Sequence, residues 1–224
     1  MIEKYLTIYD NNEAELEQKK SKFIATIKHV ETEEEIKIFL EQIRKKYWNA
    51  THNVFAYTIG LKQPIERCSD DGEPSGTAGM PILEVIRGMD LRNVIVIVTR
   101  YFGGTLLGTG GLVRAYSGCA KLGLETSVVA ENILYYLMDV KVNYTLSGKV
   151  QYEILQNNYI IYDTQYQDNV IYTVLVEYGK KDVFKSKIMD ITSGCVNINN
   201  NGLYYGFGDN EQKNIVKFNE SPES

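Results

Sequence analysis

The sequence predicts an α+β protein of two domains. Its 224 residues, 44% hydrophobic and 24% charged, are enough to bury two separate cores. Strand-like β-branched runs are followed by segments whose apolar residues recur every three or four positions, as in helices. Near residue 130 the order of these segments changes, which indicates a second domain. We therefore assign residues 1–130 to an N-terminal domain, 131–210 to a C-terminal domain and 211–224 to a frayed tail.

The N-terminal domain is predicted to begin its regular structure with a strand over 22–30. Thr32 then caps a helix that runs to about Lys46, because Glu35 three residues later completes a capping box. The run NVIVIVTRY at 93–101 is almost wholly β-branched, which is typical of a strand buried on both faces. The other expected elements are strands over 53–60 and 65–68, a turn and helix over 75–87, and a helix over 112–124.

The C-terminal domain follows a different order. Strands are expected over 133–144, 159–166, 170–178 and 195–198, and helices over 147–156 and 181–191. This succession is β-α-β-β-α-β, the ferredoxin-like order.

Composition restricts the classes of function. A net charge of −5 argues against a protein that binds nucleic acid over its whole surface. The chain shows no signal peptide and no apolar run long enough to span a membrane, so we expect a cytoplasmic protein. Its 3 cysteines form no CxxC pair, which is typical of reduced thiols, and 2 histidines exclude a histidine-rich metal site. All arginines lie between Arg44 and Arg114, so anion recognition is assigned to the N-terminal domain.

The segment that follows the buried strand is rich in glycine. Glycines there let backbone amides turn toward one point, and the following helix adds its free N–H groups and positive dipole end. The spacing matches neither a Walker A loop nor GxGxxG. The alternative is that the glycines only permit tight packing of strand against helix. The candidate anion-binding residues are Arg100, Gly103, Gly104, Thr109, Gly110, Gly111 and Arg114.

A second polar segment contains Asp70, Asp71 and Glu73. These carboxylates could hold a divalent cation, since oxygen ligands suit magnesium or calcium, or they could cap backbone groups of a solvated turn. Ser75 or Thr77 is the expected N-cap of the following helix. His52 is the one plausible proton shuttle of this region, or else a hydrogen-bonded structural histidine. We predict a catalytic role for His52, Asp70, Asp71 and Glu73, and we assign no metal ligands.

Three segments carry a family resemblance: ATHNVFAY, RCSDDGEPSGTAGMPIL and NVIVIVTRYFGGTLLGTGGLVRAY. They resemble the signature of the IMPACT family, whose bacterial members are of the YigZ type, and the signature covers about residues 21–124. The resemblance implies an N-terminal domain similar to domain 2 of ribosomal protein S5 and a C-terminal domain similar to domain V of elongation factor G. It also implies a link to translational control.

Two functions remain open from the sequence. The first is a translation-linked regulatory or binding protein that contacts RNA or a ribosome-associated factor through the glycine-rich loop, weakly because the chain is acidic. The second is an enzyme that acts on a small phosphorylated or carboxylated metabolite held by the same loop. The sequence predicts no membrane partner and leaves the oligomeric state open.

Overall fold

The computed structural model describes residues 1–208 and 213–217 of the chain. The chain divides into two compact units, Met1–Glu131 and the residues from Asn132 onward. In the first unit the elements are β1 (Lys4–Ile8), β2 (Asn12–Gln18), β3 (Ser21–His29), α1 (Glu33–Lys46), β4 (His52–Ile59), β5 (Ile65–Ser69), α2 (Gly79–Gly88), β6 (Val94–Tyr101) and α3 (Thr109–Glu125).

The first unit is built on a five-stranded sheet of order β2-β3-β6-β4-β5, in which every neighbouring pair is antiparallel. Strand β6 lies at its centre and is buried from Val94 to Arg100. Val94, Val96 and Val98 face the core under α2 and α3, whereas Ile95 and Ile97 face the core under α1. The prediction of a strand buried on both faces is confirmed.

A local sequence signal explains where α1 begins but not where α3 begins. Thr32 accepts a hydrogen bond from the Glu35 amide at 3.2 Å, so the predicted N-cap is confirmed. The Glu35 carboxylate accepts from the Glu31 amide at 2.7 Å, one residue before the amide that a standard capping box uses. Helix α3 begins at Thr109, a turn earlier than predicted. Its N-cap is Gly108, whose φ of 72° favours glycine, and no side chain caps it.

The second unit contains β7 (Val129–Val142), α4 (Tyr144–Gln156), β8 (Ile160–Tyr166), β9 (Val170–Glu177), a 3₁₀ turn (Tyr178–Lys180), α5 (Lys181–Thr192), β10 (Asn197–Gly208) and β11 (Lys213–Lys217). Its strands follow the order β11-β10-β7-β9-β8, with antiparallel neighbours. The order β10-β7-β9-β8 and the two helices confirm the ferredoxin-like arrangement.

The C-terminal part of this unit differs from the prediction in two respects. Strand β10 runs to Gly208, well beyond the expected 195–198, and β11 pairs antiparallel with it. The expected frayed tail of 211–224 is therefore wrong for Lys213–Lys217, while 211–212 and 218–224 lie outside the described residues. The polar stretch at Asn199–Gly202 hid the strand, because it lacks the β-branched residues that mark the others.

Candidate functional site

Four connections of the first unit meet at one end of its sheet. In the sheet register His52 lies opposite Arg100, and Lys22 lies opposite Tyr101, so the start of β3, the start of β4 and the end of β6 are adjacent. We call this region the loop end. It comprises the β2–β3 turn (19–20), the α1–β4 connection (47–51), the β5–α2 loop (70–78) and the β6–α3 loop (102–108).

Glu73 is the centre of a buried polar network beneath the loop end. Its carboxylate accepts hydrogen bonds from the Arg100 guanidinium at 2.5 Å and from the Tyr116 hydroxyl at 2.7 Å. Only 8% of Glu73 and 5% of Arg100 are exposed. Burial raises the pKa of Tyr116, and the Glu73 carboxylate raises it further. The network ties the β5–α2 loop, β6 and α3 together.

His52 lies beside this network. Its Nδ1 is 2.7 Å from the Asp71 carbonyl oxygen, which only accepts, so Nδ1 is the protonated nitrogen. Its Nε2 is 3.8 Å from the Glu73 carboxylate. The Asp71 carboxylate accepts from the Asn53 amide at 2.6 Å. The structure therefore brings His52, Asp71 and Glu73 together, although their catalytic role stays a prediction.

Asp70 stabilises the start of α2. Its carboxylate accepts hydrogen bonds from the amides of Gly76 at 2.8 Å, Ala78 at 3.1 Å and Gly79 at 2.8 Å. Burial acts to raise the pKa of Asp70, but these three hydrogen bonds together lower it. Helix α2 has Ala78 as its N-cap, so the expected N-cap at Ser75 or Thr77 is wrong. The cap comes instead from a carboxylate eight residues earlier, a link that local spacing does not show.

The three carboxylates do not converge on one point. Asp70 faces the start of α2, Asp71 faces β4, and Glu73 faces Arg100. Within the described residues, no group of histidine, cysteine, aspartate and glutamate side chains could hold a metal ion. The geometry therefore favours capping and pairing over the divalent-cation alternative.

The glycines of the β6–α3 loop serve different purposes. A Cβ on Gly103 would overlap the backbone carbonyl of Lys20, so this glycine is required for close packing against the β2–β3 turn. Gly104 and Gly108 have φ values of 80° and 72°, which favour glycine. Gly111 packs against Leu107, whereas Gly110 faces open space. Packing thus explains Gly103 and Gly111, and Gly110 is left free for another role.

Arg100 and Arg114, both predicted to bind an anion, differ in exposure. Arg100 is buried and its charge is paired with Glu73, because it follows Val94, Val96 and Val98 on the inward face of β6. Arg114 is exposed and, within the part of the chain that the structure describes, forms no hydrogen bond or ion pair through its side chain. Only Arg114 of the two is available to an external anion.

Two cations that sequence reasoning missed lie beside the glycine-rich loop. Lys19 and Lys20 form the β2–β3 turn, with φ values of 46° and 68°, and the Gly103 backbone packs against Lys20. Both are exposed, and neither side chain has an ion-pair partner among the described residues. The pair of lysines in QKKSK was visible in the sequence, but its position beside a loop some eighty residues later depends on the pairing of β3 with β6.

Comparison with known proteins agrees with this architecture. Residues 19–124 match the Impact N-terminal domain, and residues 140–194 match a domain of unknown function, DUF1949. A solved structure titled as a hypothetical protein aligns with 88% of this chain and 97% of its own, with 30% identity and a TM-score of 0.58. The fold and its loop end define a two-domain protein with an Impact N-terminal unit and a ferredoxin-like second unit.

The relatives give the family. The IMPACT family member YvyE of Bacillus subtilis (strain 168) is 38% identical over 205 residues, which cover 92% of this chain and 94% of that protein. The IMPACT family member YigZ of Escherichia coli (strain K12) is 32% identical, with 81% of this chain and 90% of that protein covered. The chain belongs to the IMPACT family and is of the YigZ type.

Proposed function

We propose that this protein is a translation-linked regulatory protein of the cytoplasm that contacts RNA phosphates through its loop end. The family resemblance supports the link to translation. In the described residues, no helix is long and apolar enough to cross a bilayer. The observation that carries the proposal is the set of free cations and free amides around the glycine-rich loop.

The start of α3 offers donors for a phosphate. Thr109 and Gly110 are exposed, and the first hydrogen bond of the helix comes from the Leu112 amide to the Gly108 carbonyl at 2.9 Å. The amides of residues 109–111 therefore have no helical acceptor, and the dipole of the 17-residue helix favours negative charge at this end. Backbone amides would bind an anionic group at this position, irrespective of the molecule that carries it.

The surrounding charges favour the same ligand. Arg114 lies in the second turn of α3, and Lys20, whose backbone packs against Gly103, forms the β2–β3 turn with Lys19. Each of these three side chains is exposed. Because the whole chain carries a net charge of −5, we expect contact with RNA to be weak and sensitive to salt.

Co-sedimentation with ribosomes tests the proposal. The variant Lys20→Ala/Arg114→Ala removes two exposed charges at the loop end, and Lys37→Ala/Lys121→Ala removes two exposed charges elsewhere on the first unit. We expect the first variant to lose its association with ribosomes and the second to keep it. If the loop-end variant sediments with ribosomes as the unaltered protein does, the proposal fails.

A further inference from the structure

We propose that the loop end binds single-stranded RNA in particular, with Trp48 and Phe102 as stacking surfaces for unpaired bases. This inference rests on the proposed function and names the ligand of the same surface. Two exposed aromatic side chains in adjacent connections, together with nearby free cations, support it.

Trp48 is the one tryptophan of the chain, and it is 81% exposed. A large aromatic ring in water gives up the burial that stabilises a fold, and its exposure beside a second exposed ring and free cations is what favours a binding surface here. The residues that follow it are well held. The Asn49 side chain accepts from the Tyr101 hydroxyl at 3.1 Å, and the Thr51 amide donates to the Arg100 carbonyl at 2.8 Å. Trp48 therefore stands on a connection fixed to the end of β6.

Phe102 belongs to the same end of the sheet. Its amide donates to the Thr51 hydroxyl at 3.1 Å, which joins it to the connection that carries Trp48. The Arg100 guanidinium lies 5.5 Å from the centre of its ring and holds the ring by a cation–π contact. The residue is nevertheless 47% exposed. A ring that is fixed in this way but open to solvent is suited to stack on a flat partner.

Exposed lysines occupy the segments that adjoin these two rings. The Lys20 backbone packs against Gly103, the residue after Phe102, and Lys19 is the other residue of the same turn. Lys45 lies in the last turn of α1, three residues before Trp48. In the described residues none of these three lysines has an ion-pair partner. Aromatic rings that alternate with free cations are the pattern by which proteins bind single-stranded nucleic acid, since the cations follow the phosphates while the rings stack on bases.

The aromatic rings favour a single strand over a duplex. Stacked base pairs hide the base faces, so duplex RNA would present phosphates to the lysines and nothing to Trp48. A site that binds anions by charge alone would not require an exposed aromatic ring. Single-stranded RNA satisfies the charges and the rings together.

The intrinsic fluorescence of Trp48 provides the test. The full chain is titrated with end-labelled oligouridylate of about twelve nucleotides, and with an RNA duplex of equal length, while label anisotropy and tryptophan emission are recorded. We expect oligouridylate to quench Trp48 and the duplex to leave its emission unchanged. Trp48→Ala and Phe102→Ala should each weaken oligouridylate binding by about tenfold, which corresponds to about 1.4 kcal/mol.

Two control variants isolate the contribution of stacking. Trp48→Phe keeps a stacking ring and should bind oligouridylate within about threefold of the unaltered protein. Tyr152→Ala removes a ring that is 64% exposed on α4 of the second unit, and it should bind normally. Because Trp48 is so exposed, none of its variants should disturb the fold.

The outcomes separate this inference from the proposed function. If oligouridylate binds, is lost in Lys20→Ala/Arg114→Ala, and is indifferent to Trp48→Ala and Phe102→Ala, the phosphate-binding function stands and the stacking inference is overturned. If the duplex binds as tightly as oligouridylate and Trp48 emission is not quenched, the phosphate-binding function again stands and the stacking inference is overturned. If Trp48→Ala impairs ribosome association but not oligouridylate binding, the rings face a protein and the inference is overturned. Absence of any RNA or ribosome association overturns both.

Discussion

The Arg100 guanidinium donates to the Glu73 carboxylate across 2.5 Å, with only 6% and 4% of the two side chains exposed. A buried charge without its partner is far more costly than the pair is stabilising. This pair therefore determines how the β5–α2 loop is held beneath α3, and it removes Arg100 from the residues that can bind an external anion.

Glu73→Gln should strongly destabilise the first unit. The substitution keeps the shape of the side chain but leaves the Arg100 charge buried without a counter-charge, which costs about 3–5 kcal/mol in the free energy of unfolding. Urea unfolding measures this loss. Glu84→Gln is the matched control, because Glu84 pairs with Arg87 at the surface and its loss should cost less than about 1 kcal/mol. Equal effects of the two substitutions would contradict the buried network.

Tyr116→Phe should change how stability depends on alkaline pH. The pKa of Tyr116 is raised in the folded state, so its contribution to stability is complete below the unfolded pKa of about 10 and is lost as pH rises above it. Removing the hydroxyl removes this contribution. Urea unfolding at a series of pH values should show a shallower alkaline decline for Tyr116→Phe than for the unaltered protein. Parallel curves would show that the hydroxyl does not remain protonated in the fold.

Asp70→Asn should lower stability at neutral pH and matter less in acid. The pKa of Asp70 is lowered in the folded state, so its contribution is present above the unfolded pKa of about 3.9 and is lost as pH falls through the lower folded value. We expect a loss of about 1 kcal/mol at neutral pH, which shrinks below about pH 4. Asp168→Asn, at the exposed β8–β9 turn, should show neither effect. A difference that persists unchanged in acid would argue against the capping role.

Gly103→Ala should disrupt the packing of the β2–β3 turn against the β6–α3 loop. A Cβ there would overlap the Lys20 backbone carbonyl, so one of the two segments must move. We expect a loss of about 3 kcal/mol in the free energy of unfolding. Gly110→Ala meets open space at an ordinary φ and should unfold like the unaltered protein. If both variants are equally stable, Gly103 does not pack closely against the Lys20 backbone.

The sequence predicts the core of this fold well because its signals are local. The β-branched run 93–101 and the capping box at Thr32 correspond to β6 and α1 in the structure. The predicted start of α3 is late because Gly108 caps the helix by its backbone conformation, without a side chain that a sequence pattern could identify. Because the cap is Gly108, no capping side chain in the sequence indicates where α3 begins.

The site was harder to predict, since its contacts join distant segments. The sequence prediction assigns Arg100 to an external anion, although the alternation Val96, Val98, Arg100 places it on the inward face of the strand. The partnership of Glu73 with Tyr116 spans forty-three positions and depends on how α3 packs. Lys20 reaches the glycine-rich loop only because β3 pairs with β6.

The dependence of RNA affinity on salt tests the central claim most directly. For a single strand, each phosphate contact contributes about 0.7 to the slope of log K against log salt concentration. We expect Lys20→Ala/Arg114→Ala to lower the slope for oligouridylate by about 1.4, whereas Lys37→Ala/Lys121→Ala should leave it unchanged. An unchanged slope in the loop-end variant, or an equal fall in both variants, would show that RNA does not bind at the loop end.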